Sequence, residues 1–522
     1  MIEDLSSNQL PQALETDVCV IGAGAAGLTV GLLLARRGLQ VVMLESGGEQ
    51  HETPIHNLNR CEFAGRTFLG ANEGRFRAFG GSTTRWGGQI LPMQPIDFEA
   101  RPWVSASGWP IAYSDLVPAY KAALHLVGLD RCIESDADVW RSVGQTAPRF
   151  GEGLQPYFSR WCPEPDFSRL FRAEIARRSN LRCVLHATVT GFRVKGGCIV
   201  QASARNLAGR LLDVRARRFV LCVGGIETPR LLLHPLEGGG NPPWAALDLI
   251  GRYLQDHPGL TCADIVPRRR SEMHRLFDNV VHGRTRYQPR LRVTDKEQRR
   301  RRLLQASCSI IFQSNRADAL SRARSIGKDL LSGHAPRKAL RDLIGAAPLV
   351  ARVGWRTFIR HRAFNFDDMG FRLGIQLEQQ PDPDSRVTLS NNVDALGLRR
   401  ARIDWKINSS EIETVAAVAE MCKRAFMVAG IGEVDVDADV ASQSHDLTRR
   451  MVDQNHHNGT ARMASTPNEG VVDRDLRVFG TSNLYICSSA VFPTGSFSNP
   501  THTLIALGIR LAEKLSSDSG NA

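Results

Sequence analysis

An apolar run at 18–21, Val-Cys-Val-Ile, breaks into Gly22, Gly24 and Gly27, continues through Ala- and Leu-rich sequence, and returns as a second apolar run at 41–44 closed by Glu45. Short apolar runs bounded by glycine read as buried strands, and the longer Ala/Leu stretch between them reads as a helix. The order predicts a β-α-β unit over 17–46. Further β-rich stretches lie at 181–189, 198–202 and 218–223. The last breaks at Gly224-Gly225 and resumes as a helix, with Pro229 near its first turn. Later, 371–378, 385–389 and 401–407 read as strands of one antiparallel sheet, 483–487 as a strand and 501–515 as a closing helix. Ser107-Gly108-Trp109-Pro110 predicts a turn leading into a helix capped by Ser114. Thr294 to Glu297 has the form of a capping box for the helix that carries Arg299 to Arg302. Residues 316–362 read as two or three basic amphipathic segments, interrupted at Gly327, Pro336 and Pro348. No internal repeat is evident.

The glycine spacing has a physical reading. Gly22 permits the tight turn, Gly24 lets backbone approach a pyrophosphate, and Gly27 lets helix and strand pack closely. The helix N-terminus offers unpaired N–H groups to phosphate, and Glu45 can accept hydrogen bonds from a ribose diol. With strand, helix, strand and acid in this order, a dinucleotide site is expected here in preference to a merely structural turn.

Composition narrows the class. The chain has 522 residues, 42% hydrophobic and 23% charged, as in ordinary globular enzymes, and is long enough for two packed domains. No run of uncharged apolar residues is long enough to span a bilayer, and residues 1–14 lack the apolar core of a signal peptide. The eleven cysteines form no Cys-x-x-Cys pair or regular framework, and Cys19, Cys183, Cys222 and Cys487 fall in predicted strands as buried thiols. A reducing, cytoplasmic setting is therefore expected. The net charge of +12 is unevenly placed: residues 268–362 hold 24 Lys and Arg against 7 Asp and Glu, leaving 42 against 47 elsewhere. The basic character belongs to one insert.

Separated motifs along nearly the whole chain resemble the glucose–methanol–choline (GMC) flavoprotein oxidoreductases. They are Gly22-x-Gly24-x-x-Gly27 with Glu45, Gly80-Gly81-Ser82 with Trp86-Gly87-Gly88, 220–230, and 251–258 ending in Asp256-His257-Pro258. The C-terminal block holds 456–463, Gly470 to Asp473, 483–489 and Ser498-Asn499-Pro500-Thr501. The resemblance implies an α/β fold: a Rossmann-like FAD-binding domain assembled from discontinuous segments, with an α+β substrate domain built on an antiparallel sheet. The expected division is 1–100, 180–261 and 455–522 for FAD, and 101–179 and 262–454 for substrate, including the basic insert 268–362. The implied reaction removes a hydroxyl proton and passes a hydride to flavin N5. A histidine suits the first task and a flavin the second. His456, first in His-x-x-Gly-Thr, matches the family's proton acceptor, and Asn499 its partner that orients the substrate oxygen. The FAD surroundings implied are Gly22, Gly24, Ala25, Ala26, Gly27, Glu45, Gly81, Ser82, Val189, Ser489, Pro500 and Thr501.

Blander readings stand beside these. A lone histidine is more often a packing residue, as expected for His457, and Asn499 before Pro500 also fits a plain turn. The adjacent histidines are not read as metal ligands, because no thiolate or carboxylate cluster accompanies them in sequence. His257 is read as structural. Arg85 stands where some sugar-oxidising relatives carry a flavin-linked histidine, so the FAD is expected to be non-covalent. The insert admits three roles: solvated helix faces, attraction of an anionic or glycosyl-phosphate substrate, or weak contact with an anionic membrane. Nucleic acid is not an expected partner. The expected substrate is an alcohol, in particular a hydroxyl of a sugar, glycoside or polyol. A non-sugar alcohol, or a flavin-holding subunit docking on a membrane or partner, is the alternative. The electron acceptor is open between oxygen, a quinone and a protein.

Overall fold

The computed structural model describes residues 1–7, 10–315 and 352–520. Its first sheet runs in the order Ile2–Asp4, Leu181–Leu185, Val41–Leu44, Ala13–Ile21, Leu211–Leu221, Cys198–Arg205 and Thr188–Lys195, with Leu484–Ile486 also beside Leu211–Leu221. The first five of these strands and Leu484–Ile486 pair in parallel; Cys198–Arg205 and Thr188–Lys195 pair antiparallel. Parallel strands are covered on both faces, which is why 18–21 and 41–44 are apolar without alternation. Helices Ala25–Arg36 and Thr501–Gly520 pack together over this core. Ile21, Leu44, Leu221 and Ile486 lie at matching register, so four parallel strands end at one level. Ligands of open α/β sheets bind at such a carboxyl edge.

The second sheet is antiparallel: Gly432–Val436, Gly259–Pro267, Gly370–Leu377, Ala306–Gln313, Thr285–Val293, Leu154–Trp161 and Gln89–Ile90. The long helix Ser409–Val428 buries Val415, Val418, Ala419 and Cys422 in the apolar cluster that includes Leu291, Leu373 and Ile375 of this sheet.

Several expectations are corrected. The stretches near 385–389 and 401–407 do not join the strand Gly370–Leu377. They form Arg386–Val393 and Arg399–Asp404 of a separate three-stranded sheet with Glu62–Phe63, because Val387, Ala401 and Ile403 bury against Phe68, Trp405 and Leu254 instead. Ser114 is not a cap. The helix Tyr113–Leu126 starts after Ala112, whose N–H donates to the Asp115 carboxylate at 3.1 Å. Pro229 lies inside the helix Gly224–Leu233, beyond its first turn. It leaves the Gly225 carbonyl without its usual donor, and the Thr460 hydroxyl donates there instead at 2.5 Å. Thr294 does cap the helix Asp295–Arg301, its Oγ1 accepting from Glu297 N. The basic segments read at 316–351 lie outside the described residues.

Candidate active site

At the carboxyl edge of the parallel strands the chain turns through glycine for steric reasons. Gly22 has φ +98°, and a Cβ there would lie 2.7 Å from the Cys222 carbonyl oxygen. A Cβ on Gly27 would lie 1.8 Å from the Gly22 carbonyl oxygen, so helix and strand meet at a distance only glycine allows. Gly81, with φ +57°, presses on Gly24: its Cβ would sit 2.8 Å from the Gly24 Cα. Trp86 anchors that second loop, its Nε1 donating to the Pro165 carbonyl at 2.6 Å.

The two glycine loops open onto a cavity of about 690 Å³. Gly22, Gly24, Ala25, Ala26, Glu45, Gly81, Ser82, Val189, Ser489, Pro500 and Thr501 line it, as do His456 and Asn499; Gly27 does not, being taken up by the helix–strand contact. The N-termini of Ala25–Arg36, Gly224–Leu233 and Thr501–Gly520 all reach this cavity. The first has no capping side chain and no acid in its first turn, which suits a pyrophosphate. Glu45 is buried, its oxygens accepting from Ala23 N at 2.8 Å and Gly47 N at 2.9 Å. Desolvation raises its pKa, and these backbone bonds oppose the rise. Glu227 also lines the cavity. Burial favours its neutral form, but Arg230, Arg77 and Arg75 together hold its pKa well below the usual carboxylate range. A glycine cradle, uncapped helix ends and a buried acid at the second strand fit an adenine dinucleotide.

The far end holds the histidines. Chain segments around 255–259 and 452–458 run antiparallel, bridged at Gln255 with Asn458 and at Gly259 with Val452. Asp256 ties them together: it accepts from His257 N at 2.6 Å, Gln454 N at 2.8 Å and His456 N at 2.9 Å. Gly459 is required because a Cβ there would lie 2.2 Å from the Tyr253 carbonyl oxygen. With Thr460 bonded to Gly225, the spacing His-x-x-Gly-Thr acquires a steric meaning.

The hydrogen bonds then fix the protons on the rings. His257 Nε2 faces the Gly495 carbonyl at 3.1 Å, and a carbonyl only accepts, so neutral His257 carries its proton on Nε2. Its Nδ1 is therefore an acceptor, facing His456 Nδ1 at 2.9 Å and the Gln376 amide at 3.1 Å. His456 Nδ1 must donate, which leaves its Nε2 unprotonated, accepting from the Asn499 amide nitrogen at 3.2 Å. Burial keeps these rings neutral. His257 is lowered to about 4 and His457 to about 3 by desolvation, and His456 falls well below 6.5 through desolvation, then His257, His457 and Arg290.

Three features escaped the sequence reading. His257, read as structural, touches His456. Its motif was visible, but its partner lies 199 positions away. Arg290, Gln376, Gln89 and Trp161 also line the cavity. The signal for Arg290 was a period-two alternation across 285–293. Finally, the fold does bring carboxylates to the second histidine: Asp256, Asp453 and His457 place ligand-type atoms within 4.8 Å of one another. His457 is buried against Phe68, its ring Nε2 without a hydrogen bond but 3.9 Å from the Asp256 carboxylate.

Fold and cradle define a dinucleotide-binding protein of the Rossmann-like α/β class. A family model for FAD-binding domains matches residues 15–60, and one for GMC oxidoreductases matches 381–508. Through these two segments the chain is similar to the GMC oxidoreductases, and it is an FAD-dependent oxidoreductase acting on CH–OH donors. It is 22% identical to the fructose dehydrogenase large subunit of Gluconobacter japonicus, over 97% of this chain and 99% of that one. It is 23% identical to 6'''-hydroxyparomomycin C oxidase of Streptomyces lividus, over 96% and 91%. The crystal structure of a pyridoxine 4-oxidase from Mesorbium loti superposes with a TM-score of 0.54 at 18% identity, covering 96% and 99%. Among the described residues, no helix is long and apolar enough to cross a membrane.

Proposed function

We propose that this chain oxidises a hydroxyl of a sugar, glycoside or polyol, with His456 Nε2 receiving the hydroxyl proton and Asn499 orienting the hydroxyl oxygen. The carrying observation is the proton order along Gly495, His257 and His456, which leaves Nε2 unprotonated beside the Asn499 amide. His257 is a positioning residue: it selects the tautomer of His456 and accepts from the imidazolium once the proton has arrived. Gln89 and Gln376, which also line the cavity, supply amides suited to a polyhydroxylated ring. The names of the two relatives favour sugars and aminoglycosides. FAD, when bound in the glycine cradle, supplies the hydride acceptor. The cofactor is held without a covalent bond, and the working division of labour assigns 1–100, 180–261 and 455–522 to it.

Among the described residues, the basic insert is extensively paired. Arg299 meets Glu99, Arg300 and Arg301 meet Glu297, Arg270 meets Asp367 and Arg356 meets Asp278. This favours solvated, internally paired faces over membrane contact.

The test is anaerobic loss of the yellow colour on adding a panel of glycosides and alcohols. His456→Ala is expected to keep its FAD and reduce it about a hundredfold or more slowly. Asn499→Ala should lose less, and His457→Ala least. A dead His457→Ala beside a normal His456→Ala would overturn the assignment. Acid or heat should release all FAD into solution; flavin retained on precipitated protein would overturn the non-covalent claim.

A further inference from the structure

The strand Thr285–Val293 lies between Leu154–Trp161 and Ala306–Gln313 in the second sheet. Its burial alternates strictly: Thr285, Tyr287, Pro289, Leu291 and Val293 are buried, and Arg286, Gln288, Arg290 and Arg292 share the other, half-exposed face. Three arginines on one face of a central strand call for compensation, and two have it. Arg292 pairs with Asp295 at 3.4 Å, and Arg286 stacks on Trp161 with its guanidinium 3.7 Å from the ring centre.

Arg290 is different. It lines the cavity with His456, Gln376 and Asn499. Its Nη2 reaches Gln288 Oε1 at 3.4 Å, long for a hydrogen bond, and its Nε is buried with no hydrogen-bond partner. Among the described residues no carboxylate pairs with it, whereas Arg75 and Arg77 on the same cavity wall share Glu227. A cation beside His456 also opposes the positive charge that ring acquires on taking a proton. A half-buried guanidinium that meets only Gln288 and the Tyr157 hydroxyl, with no carboxylate partner, is incompletely compensated, and an anion bound against it would supply the missing charge and offset the repulsion of the protonated ring.

We propose that the substrate's polyol carries an anionic group, a carboxylate or phosphate, and that Arg290 binds it. This rests on the reading of the cavity as the site of alcohol oxidation. It narrows the substrate from neutral sugars to sugar acids or sugar phosphates. Arginine is suited to either oxyanion through its planar fork.

Acetate and inorganic phosphate, which carry the anion but no oxidisable hydroxyl, are titrated into the FAD-loaded protein while the visible flavin spectrum is followed. A saturable spectral change that weakens with added NaCl is expected. Arg290→Gln should weaken it about ten- to hundredfold, while Arg292→Gln, outside the cavity, binds as the parent does. In anaerobic reduction, gluconate or glucose 6-phosphate should exceed glucose in kcat/KM by about tenfold or more, and Arg290→Gln should collapse that ratio. Gluconate ahead identifies a sugar acid, and glucose 6-phosphate ahead a sugar phosphate. The proposal is overturned if neither anion binds, if Arg290→Gln binds them unchanged, or if the variant shifts the flavin midpoint potential while leaving substrate preference intact. Anion binding at Arg290 with no reduction by any polyol would instead overturn the alcohol-oxidation reading and leave the anion site standing.

Discussion

Replacing His257 by leucine tests the proton order without touching the cavity wall, since His257 does not line it. In the native site, the 2.9 Å contact forces the proton of His456 onto Nδ1 and leaves Nε2 unprotonated. Leucine removes that acceptor. The ring is then free to carry its proton on Nε2, with the Asn499 amide turned to accept it, and the base is blocked. The lost bond also supports the imidazolium, and a hydrogen bond to a charged group contributes about 1.5–3 kcal/mol. Flavin reduction should therefore slow by about ten- to hundredfold at unchanged FAD content. His257→Gln, whose amide oxygen can accept from Nδ1–H, should recover part of the rate. The pH profile provides a second readout. Only neutral His456 accepts the proton, and its pKa lies well below 6.5. The native rate should thus be flat through neutral pH and fall only as pH drops through that depressed value. Because the lost bond supported the imidazolium, in His257→Leu the acid limb should move to still lower pH. Stopped-flow bleaching at 450 nm across pH 4–8 measures both effects. A native rate and an unmoved limb in His257→Leu would refute the reasoning.

Three further outcomes are expected. Arg101 and Glu378 pair through both terminal guanidinium nitrogens with neither side chain exposed; Arg101→Met should cost about 3–5 kcal/mol in urea unfolding by stranding a buried carboxylate, and adding Glu378→Met should recover most of it. Gly27→Ala should purify largely without FAD, because its methyl would lie 1.8 Å from the Gly22 carbonyl oxygen; a parental ratio of 450 to 280 nm absorbance would contradict this. His457 is held to about 3 by burial against an ordinary value of 6.5. The unfolded chain takes up this proton before the native ring does, so the residue draws stability down as pH falls below 6.5, by about 2 kcal/mol at pH 5. The difference in unfolding free energy between the parent and His457→Gln should shift by that amount from pH 7.5 to 5, whereas parallel curves would show that the ring is charged in the native state.

Local steric demands made the dinucleotide cradle legible. Gly27 meets the Gly22 carbonyl, and 18–21 pairs with 41–44, over short sequence distances, so their spacing already encodes the close contact, whereas the Cys222 carbonyl that bars a Cβ at Gly22 was hidden. Gly459 was visible as a motif residue, but its reason, the Tyr253 carbonyl, lies two hundred residues upstream. The same distance hid the partnership of His257 and His456. The division of 370–404 between two sheets was equally hidden, because alternation shows that a strand has a buried face but not which cluster covers it. Arg290 was obscured by the charge around it: in a stretch so rich in arginine, composition does not separate a paired surface residue from one turned into a cavity.

The Asp256 carboxylate, bonded to the backbone of both histidine-bearing segments, has a consequence for how the protein is made. During synthesis the opening β-α-β unit leaves the ribosome long before the segment containing Gln454 and His456, and until then Asp256 lacks two of its three backbone donors. The strand Leu484–Ile486 and the helix Thr501–Gly520, which complete and cover the first sheet, come later still. A nascent chain therefore carries apolar surface awaiting its cover and a half-built cradle for most of its elongation. Closure depends on contacts of very high sequence separation, which are slow to form. Cofactor capture then falls after elongation, and a chain cut short before residue 454 would be a substrate for chaperones and proteases, not a weaker enzyme.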